Sequence, residues 1–126
     1  MILLDTCALL WLASGSGDIS PAMLHRLDEE DIVTVSAISA FEIALKASSN
    51  KLHLPLPVRE WWRGVVERHR LSVLPVDAEV AVKATELSPL HRDPADRFII
   101  ATALLKGSPV VTADRRFAGY GVAVLL

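Results

Sequence analysis

The chain has 126 residues, 52% of them hydrophobic, with a formal net charge of −2 and one cysteine. That length supports one domain, residues 1–126, with a core that needs no covalent staples; the lone cysteine excludes an internal disulfide and fits a reducing cytosol. No apolar run approaches the roughly 18 residues of a membrane span, no basic segment opens the chain as in a signal peptide, and the charge balance excludes a generally basic, sequence-blind nucleic-acid binder.

A nuclease stays open, because acids that hold divalent cations subtract from the formal charge while bound metal restores it locally. Residues 1–4 are an apolar run that reads as a buried strand, and Asp5-Thr6 ends it and opens a helix through Ala8, Leu9, Trp11 and Leu12. Asp5 thus stands at the C-terminal tip of the first strand, where open parallel sheets bind ligands; helix capping is its alternative duty. Ser20-Pro21 opens a second helix that ends near the acidic run 28–31, read as a solvated face.

Residues 32–35 read as the second strand, and SAISAFEIALKASSN has helical spacing with Ile38, Phe41 and Leu45 on one apolar stripe. Glu42 lies between Phe41 and Ile43, so its carboxylate is partly desolvated and needs a partner. A metal is one choice, and Lys46, four residues on in the favourable order, is the other. Residues 51–57 form a Pro-punctuated connection. The next segment sets Val58, Trp61, Trp62, Val65, Val66 and His69 along one face of an amphipathic helix, the tryptophans as core and His69 as a core histidine. Residues 71–76 read as a third strand, and 77–87 as a helix begun by Asp77 with Val80, Ala81 and Ala84 inward.

The strongest helix start is HRDPADRFIIATALLKG, residues 91–107. Asp93 is placed to cap, Pro94 fits the first helical position, and Phe98, Ile99, Ala101, Thr102 and Leu105 are expected inward. Asp96 falls in the first turn, where it can reach back to the cap or be left free for chemistry. After Gly107 comes an apolar strand over 110–112 with Asp114 just beyond it, repeating the Asp5 arrangement; a turn or cap residue is the alternative. Gly119 and Gly121 turn the chain into a last strand over 122–126.

Strands alternating with helices imply an α/β domain of three layers: a short, mostly parallel sheet of four or five strands with helices on both faces. Asp5 and Asp114 then point to one edge, and Glu42 joins them only if its helix crosses that edge. Four separated carboxylates in one pocket, Asp5, Glu42, Asp96 and Asp114, would repel unless cations neutralise them. Mg²⁺ or Mn²⁺, hard ions with open positions for water and phosphate, suit such a set, and phosphodiester hydrolysis is the chemistry that most often uses it. No Ser–His–Asp or Cys–His set competes, and Cys7 has its thiolate disfavoured by Asp5.

Four blocks in order, MILLDTCALLWL, SAISAFEIALK, HRDPADRFIIATA and VVTADRRFAGYGV, resemble the successive blocks of PIN-domain ribonucleases, specifically VapC-type toxins of bacterial toxin–antitoxin pairs. The likeness spans nearly the whole chain. It implies that Asp5, Glu42, Asp96 and Asp114 are the metal-binding and catalytic set, that RNA is cut with Mg²⁺ or Mn²⁺, that the protein forms a homodimer in the cytoplasm, and that a small antitoxin inhibits it. It also makes Asp93 a capping acid and a candidate to assist the site. Relatives often carry His at position 7, Trp at 41, Phe at 95 and Gly at 50, departures that touch no acid. Thr6 and Thr112 are candidates to orient ligands, and Arg92, Arg97, Arg115 and Arg116 to hold RNA phosphates, with surface ion pairs as their alternative. Two other readings remain: a receiver-type Mg²⁺-binding phosphoacceptor module, which lacks here its usual adjacent acid pair, and an inactive PIN relative that only binds a partner.

Overall fold

Apolar runs too short to make helices become the strands β1 (Ile2–Leu4), β2 (Val33–Ser36), β3 (Leu71–Leu74), β4 (Val110–Val111) and β5 (Val124–Leu125) in the computed structural model, which describes all of residues 1–126. They form one sheet in the order β3-β2-β1-β4-β5, every neighbouring pair parallel, as the α/β pattern implied. Leu3 and Leu4 of the central strand pair with Thr34 and Val35 on one side and with Val110 and Val111 on the other. Parallel strands need crossovers, supplied by helices α1 (Thr6–Ser14), α2 (Pro21–Glu29), α3 (Ala37–Ser48), α4 (Val58–Arg68), α5 (Ala78–Glu86) and α6 (Pro94–Lys106).

Alternation along the strands separates two cores. Ile2, Leu4, Val33, Val35 and Val111 meet Ala8 and Leu9 of α1, Met23 and Leu27 of α2, and Trp61 and Val65 of α4. Leu3 and Val110 meet Ile99, Ile100 and Ala103 of α6, together with Phe117 of the 3-10 turn Arg115–Tyr120. Helix α5 packs outside α6, with Val80 and Ala84 against Ala101. Each such aliphatic side chain contributes about 1.5–3 kcal/mol by leaving water, so the middle of the sheet is the rigid part of the molecule. From β1 the chain winds outward to β2 and β3, then returns to β4 and β5 on the other side. The crevice at the C-terminal ends of β1 and β4 is therefore the switch point where open α/β sheets take ligands.

Some expectations shift. Strand β2 starts one residue later than expected, and β3 and β5 are shorter. The apolar stripe of α3 faces outward: Phe41 and Leu45 are exposed, while Ser39 and Ile43 are the residues buried. The close Thr6–Ser39 hydroxyl contact, 2.9 Å, shows why, since α1 crosses α3 on its small-residue side. In α6, Leu105 is exposed and Ile100 is fully buried, because this helix lies between the sheet and α5 and buries more than one stripe. No helix is long and apolar enough to cross a membrane.

Candidate active site

Asp5 leaves β1 in extended conformation and caps α1, its Oδ1 accepting the Ala8 N–H at 2.8 Å. Capping and a site role coexist here. The residue is 5% exposed, and burial pushes its carboxyl up, against the opposing pull of the Thr112 hydroxyl and the Ala8 N–H; the charges of Asp114 and Glu42 raise it further. Thr112, directly after β4, accepts the Asp114 N–H at 3.0 Å, so the hydroxyl that pulls on the Asp5 carboxyl also holds Asp114 in place. Thr6 instead spends its hydroxyl on Ser39. Cys7 is no competing nucleophile, since burial and then the Asp5 charge hold its thiol up.

Glu42 lies in the second turn of α3, whose capping residue Ser36 is the last residue of β2. The anticipated Lys46 partner is present at 3.3 Å on Oε2. Its other oxygen, Oε1, is buried with no hydrogen-bond partner. A carboxylate oxygen in that condition is costly unless something cationic faces it.

Helix α6 brings Asp96. Its start is capped by Asp93, whose Oδ1 accepts from the N–H groups of Ala95 at 2.9 Å and Asp96 at 3.4 Å. The Asp96 carboxylate makes no return bond to the cap, because the Asp93 N–H donates to His91 Nδ1 at 3.2 Å instead. Free of that duty, Asp96 Oδ2 turns to His91 Nε2 at 3.0 Å. Burial, then the Asp93 charge, pushes Asp96 up to about 7; His91 opposes this, and Glu42 and Asp5 add to it. The charge of Glu42 bears on both Asp5 and Asp96, and that of Asp5 on Asp96, so these three acids act on one another.

Asp114 is held in the opposite sense. It caps the 3-10 turn, and Arg116 forks it with Nε on Oδ1 at 3.0 Å and Nη2 on Oδ2 at 2.8 Å, while His91 Nε2 lies 2.9 Å from Oδ2. The Arg116 hydrogen bond, against some burial, holds Asp114 down to about 2. Asp114 is therefore satisfied on both oxygens by the chain itself, whereas burial holds Asp5 and Asp96 up and Glu42 keeps one oxygen unpartnered. Asp5, Asp96 and the orphaned Glu42 oxygen offer hard, oxygen-only ligation, which fits Mg²⁺ or Mn²⁺ better than a soft metal.

His91 is the residue the sequence reading missed. It is 2% exposed, and its ring lies edge-on to Phe117 at 5.9 Å. Nothing in its spacing marks it, because its partners come from α6 and from the turn after β4. Arg97 departs from the expected phosphate contact. Its guanidinium donates from Nη1 to the Ser88 and His91 carbonyls, both at 2.9 Å, and from Nη2 to those of Ala84 at 2.8 Å and Leu87 at 2.7 Å. It staples the end of α5 to the approach to α6. Arg116 is likewise committed, to Asp114, whereas Arg92 and Arg115 are exposed beside the acids. A cavity of about 520 Å³ at the opposite end of the strands, between the 28–31 acidic run and Arg68, His69 and Arg70, contains none of these acids.

The PIN domain family matches residues 2–122 of this chain. Over 120 residues, 94% of the chain and 91% of the relative, it is 34% identical to Ribonuclease VapC22 of Mycobacterium tuberculosis strain ATCC 25618 / H37Rv. Among solved structures, FitAcB from Neisseria gonorrhoeae is similar with a TM-score of 0.68 at 25% identity, over 100% of this chain and 97% of that one. VapBC2 from Rickettsia felis, bound to a DNA fragment from its promoter, reaches a TM-score of 0.75 at 18% identity over 99% and 98% of the two chains, a likeness of fold.

Proposed function

Because the chain belongs to the PIN-domain family, we propose that it is a Mg²⁺- or Mn²⁺-dependent endoribonuclease, the toxin of a toxin–antitoxin pair, which hydrolyses RNA phosphodiester bonds. The observation that carries this reading is the gathering of Asp5, Glu42 and Asp96 beside Asp114 at the sheet's switch point, with one buried Glu42 oxygen lacking any partner. Burial holds Asp5 and Asp96 toward their protonated forms, so they present a pair of ligands whose charge a divalent ion would release. Such an ion, when bound, activates a water for attack on phosphorus and steadies the departing oxygen.

The chain's own residues do the positioning. Asp5 is fixed by its cap bond to Ala8 and by Thr112, and Asp96 by His91. Lys46 holds one Glu42 oxygen so that the other faces inward, and Asp114 closes the site from the β4 side. Asp93 serves as the cap that leaves Asp96 free. Arg92 and Arg115, exposed on either flank, suit the RNA backbone. The exposed Phe41 and Leu45 face of α3 is apolar surface suited to a protein partner, a small antitoxin or a second copy in a homodimer, and the single free cysteine fits residence in the cytoplasm.

The assay is RNA cleavage by protein freed of antitoxin, with Mg²⁺ or Mn²⁺ and with chelator. Cleavage is expected to stop with chelator and to fall at least ~100-fold in Asp5→Asn and in Asp96→Asn. Cleavage indifferent to chelator, or intact in both variants, rejects the reading.

A further inference from the structure

Every hydrogen-bonding atom of His91 is engaged. Its N–H donates to the Tyr120 hydroxyl at 2.7 Å, its carbonyl accepts from Arg97 at 2.9 Å, and its Nδ1 accepts from the Asp93 N–H at 3.2 Å. Tyr120 and Arg97 both also donate to the Ser88 carbonyl, so the loop before α6 is pinned at two places. A ring whose Nδ1 accepts carries its proton on Nε2. That Nε2 stands 3.0 Å from Asp96 Oδ2 and 2.9 Å from Asp114 Oδ2, a bridge between an acid of α6 and an acid of the turn after β4.

The three donor atoms lie within 4.8 Å of one another, close enough to be taken for a ligand set. Chemistry argues otherwise. A ring nitrogen bearing hydrogen has no lone pair for a cation, and moving the proton to Nδ1 would set two N–H groups against each other at Asp93. The carboxylates, by contrast, need a donor between them, because like charges drawn to one pocket push apart.

We propose that His91 is a positioning residue which does not ligate the cation but uses its Nε2–H to bridge Asp96 and Asp114, holding Asp96 against the Arg116-anchored Asp114 at the place from which Asp96 meets a divalent ion. This role rests on the reading of the acid group as a Mg²⁺ or Mn²⁺ site. It differs from that reading in assigning work to a residue outside the acid set, held by a backbone loop that Arg97 and Tyr120 organise.

The test is Mn²⁺ binding by electron paramagnetic resonance to the full chain and to three variants, with thermal melts in chelator alongside. His91→Phe keeps a ring against Phe117 and loses the donor; it is expected to melt close to the wild type and to bind Mn²⁺ ~10–100-fold more weakly. His91→Gln restores an N–H near the same place and is expected to recover most of that loss, whereas His91→Met, of similar length without a donor, is not; this second pair decides the matter if the Phe variant fails to fold. Imidazole nitrogen NMR of the wild type is expected to show the Nε2–H form both before and after Mg²⁺ is added. Loss of that proton on adding Mg²⁺, Mn²⁺ affinity unchanged in the Phe and Met variants, or a Gln variant no better than Met overturns the role. If the wild type takes up no Mn²⁺ at all, the cation reading itself falls and this role falls with it.

Discussion

Asp96→Asn should abolish cleavage and, without metal, make the protein more stable at neutral and alkaline pH. Asp96 lies near 7 in the folded chain against an ordinary 3.8, a difference of about three units, and each unit corresponds to about 1.4 kcal/mol. The sign follows from proton counting. Below 3.8 both states hold the proton and there is no effect; between 3.8 and about 7 the unfolded chain gives it up first, so folding is increasingly penalised; above about 7 the penalty is constant. The full shift corresponds to about 4 kcal/mol, but the side chain is 21% exposed, and screening by water reduces this to about 2 kcal/mol. The asparagine oxygen still accepts from His91 Nε2–H, so that contact survives. Urea or thermal unfolding in chelator at pH 8 should then favour the variant by about 2 kcal/mol, roughly 5–10 °C in melting temperature for a domain of this size. At pH 3, where the unfolded chain also keeps the Asp96 proton, the advantage should nearly vanish, and at pH 8 Mg²⁺ should stabilise the wild type more than the variant. A variant no more stable at pH 8, or an advantage that does not change with pH, would refute the reasoning.

Arg97→Met should cost about 2–4 kcal/mol in urea unfolding, since it strands the carbonyls of Ala84, Leu87, Ser88 and His91, and Arg97→Lys should recover little because an ammonium cannot serve that planar array. Asp114, held down to about 2 by Arg116, contributes stability above 3.8 that is lost as pH falls from 3.8 toward 2; Arg116→Gln should flatten that acid limb of an unfolding titration. Arg92→Gln and Arg115→Gln should each raise KM for RNA and lower the salt slope of binding by about one unit, with Mn²⁺ binding unchanged. An unaltered salt slope would place both arginines off the RNA path.

What could be read from the chain alone was set by local rules. Asp5 and Asp114 follow short apolar runs, and the end of a parallel strand is a place whose chemistry a sequence exposes. The start of α6 was equally legible, since Asp93-Pro94 specifies it through a side chain and a ring acting on adjacent backbone. Illegible features depend on which elements become neighbours. His91 acquires its role only when β4 sets Asp114 beside α6. Arg97 looks like any arginine near an active acid until the end of α5 and the connection to α6 bring four carbonyls to it. The outward Phe41 and Leu45 stripe misled because period alone says which residues share a face, not which face is covered. Here the small side chains of α3 let α1 approach and left the bulky ones outside.

The uneven compensation of the acids decides where a cation should bind most strongly. Both Asp114 oxygens already have donors, two from the Arg116 side chain, one from its backbone N–H and one from His91, so a metal there must displace a bond or act through water. Asp5 and Asp96 are held up by burial, and Glu42 Oε1 has nothing facing it, so the unmet negative charge lies on the β1 and α3 side of the crevice. Binding energy comes from relieving what is unfavourable in the empty form, and little of that is at Asp114. Asp114→Asn should therefore weaken Mn²⁺ binding by less than ~10-fold, whereas Asp5→Asn should weaken it by ~100-fold or more, read by paramagnetic resonance on variants shown to fold. Equal losses at the two positions would mean that Arg116 yields Asp114 freely and that both acids ligate directly. A larger loss at Asp114 than at Asp5 would reverse the assignment of the primary ion position from the β1 side to the β4 side.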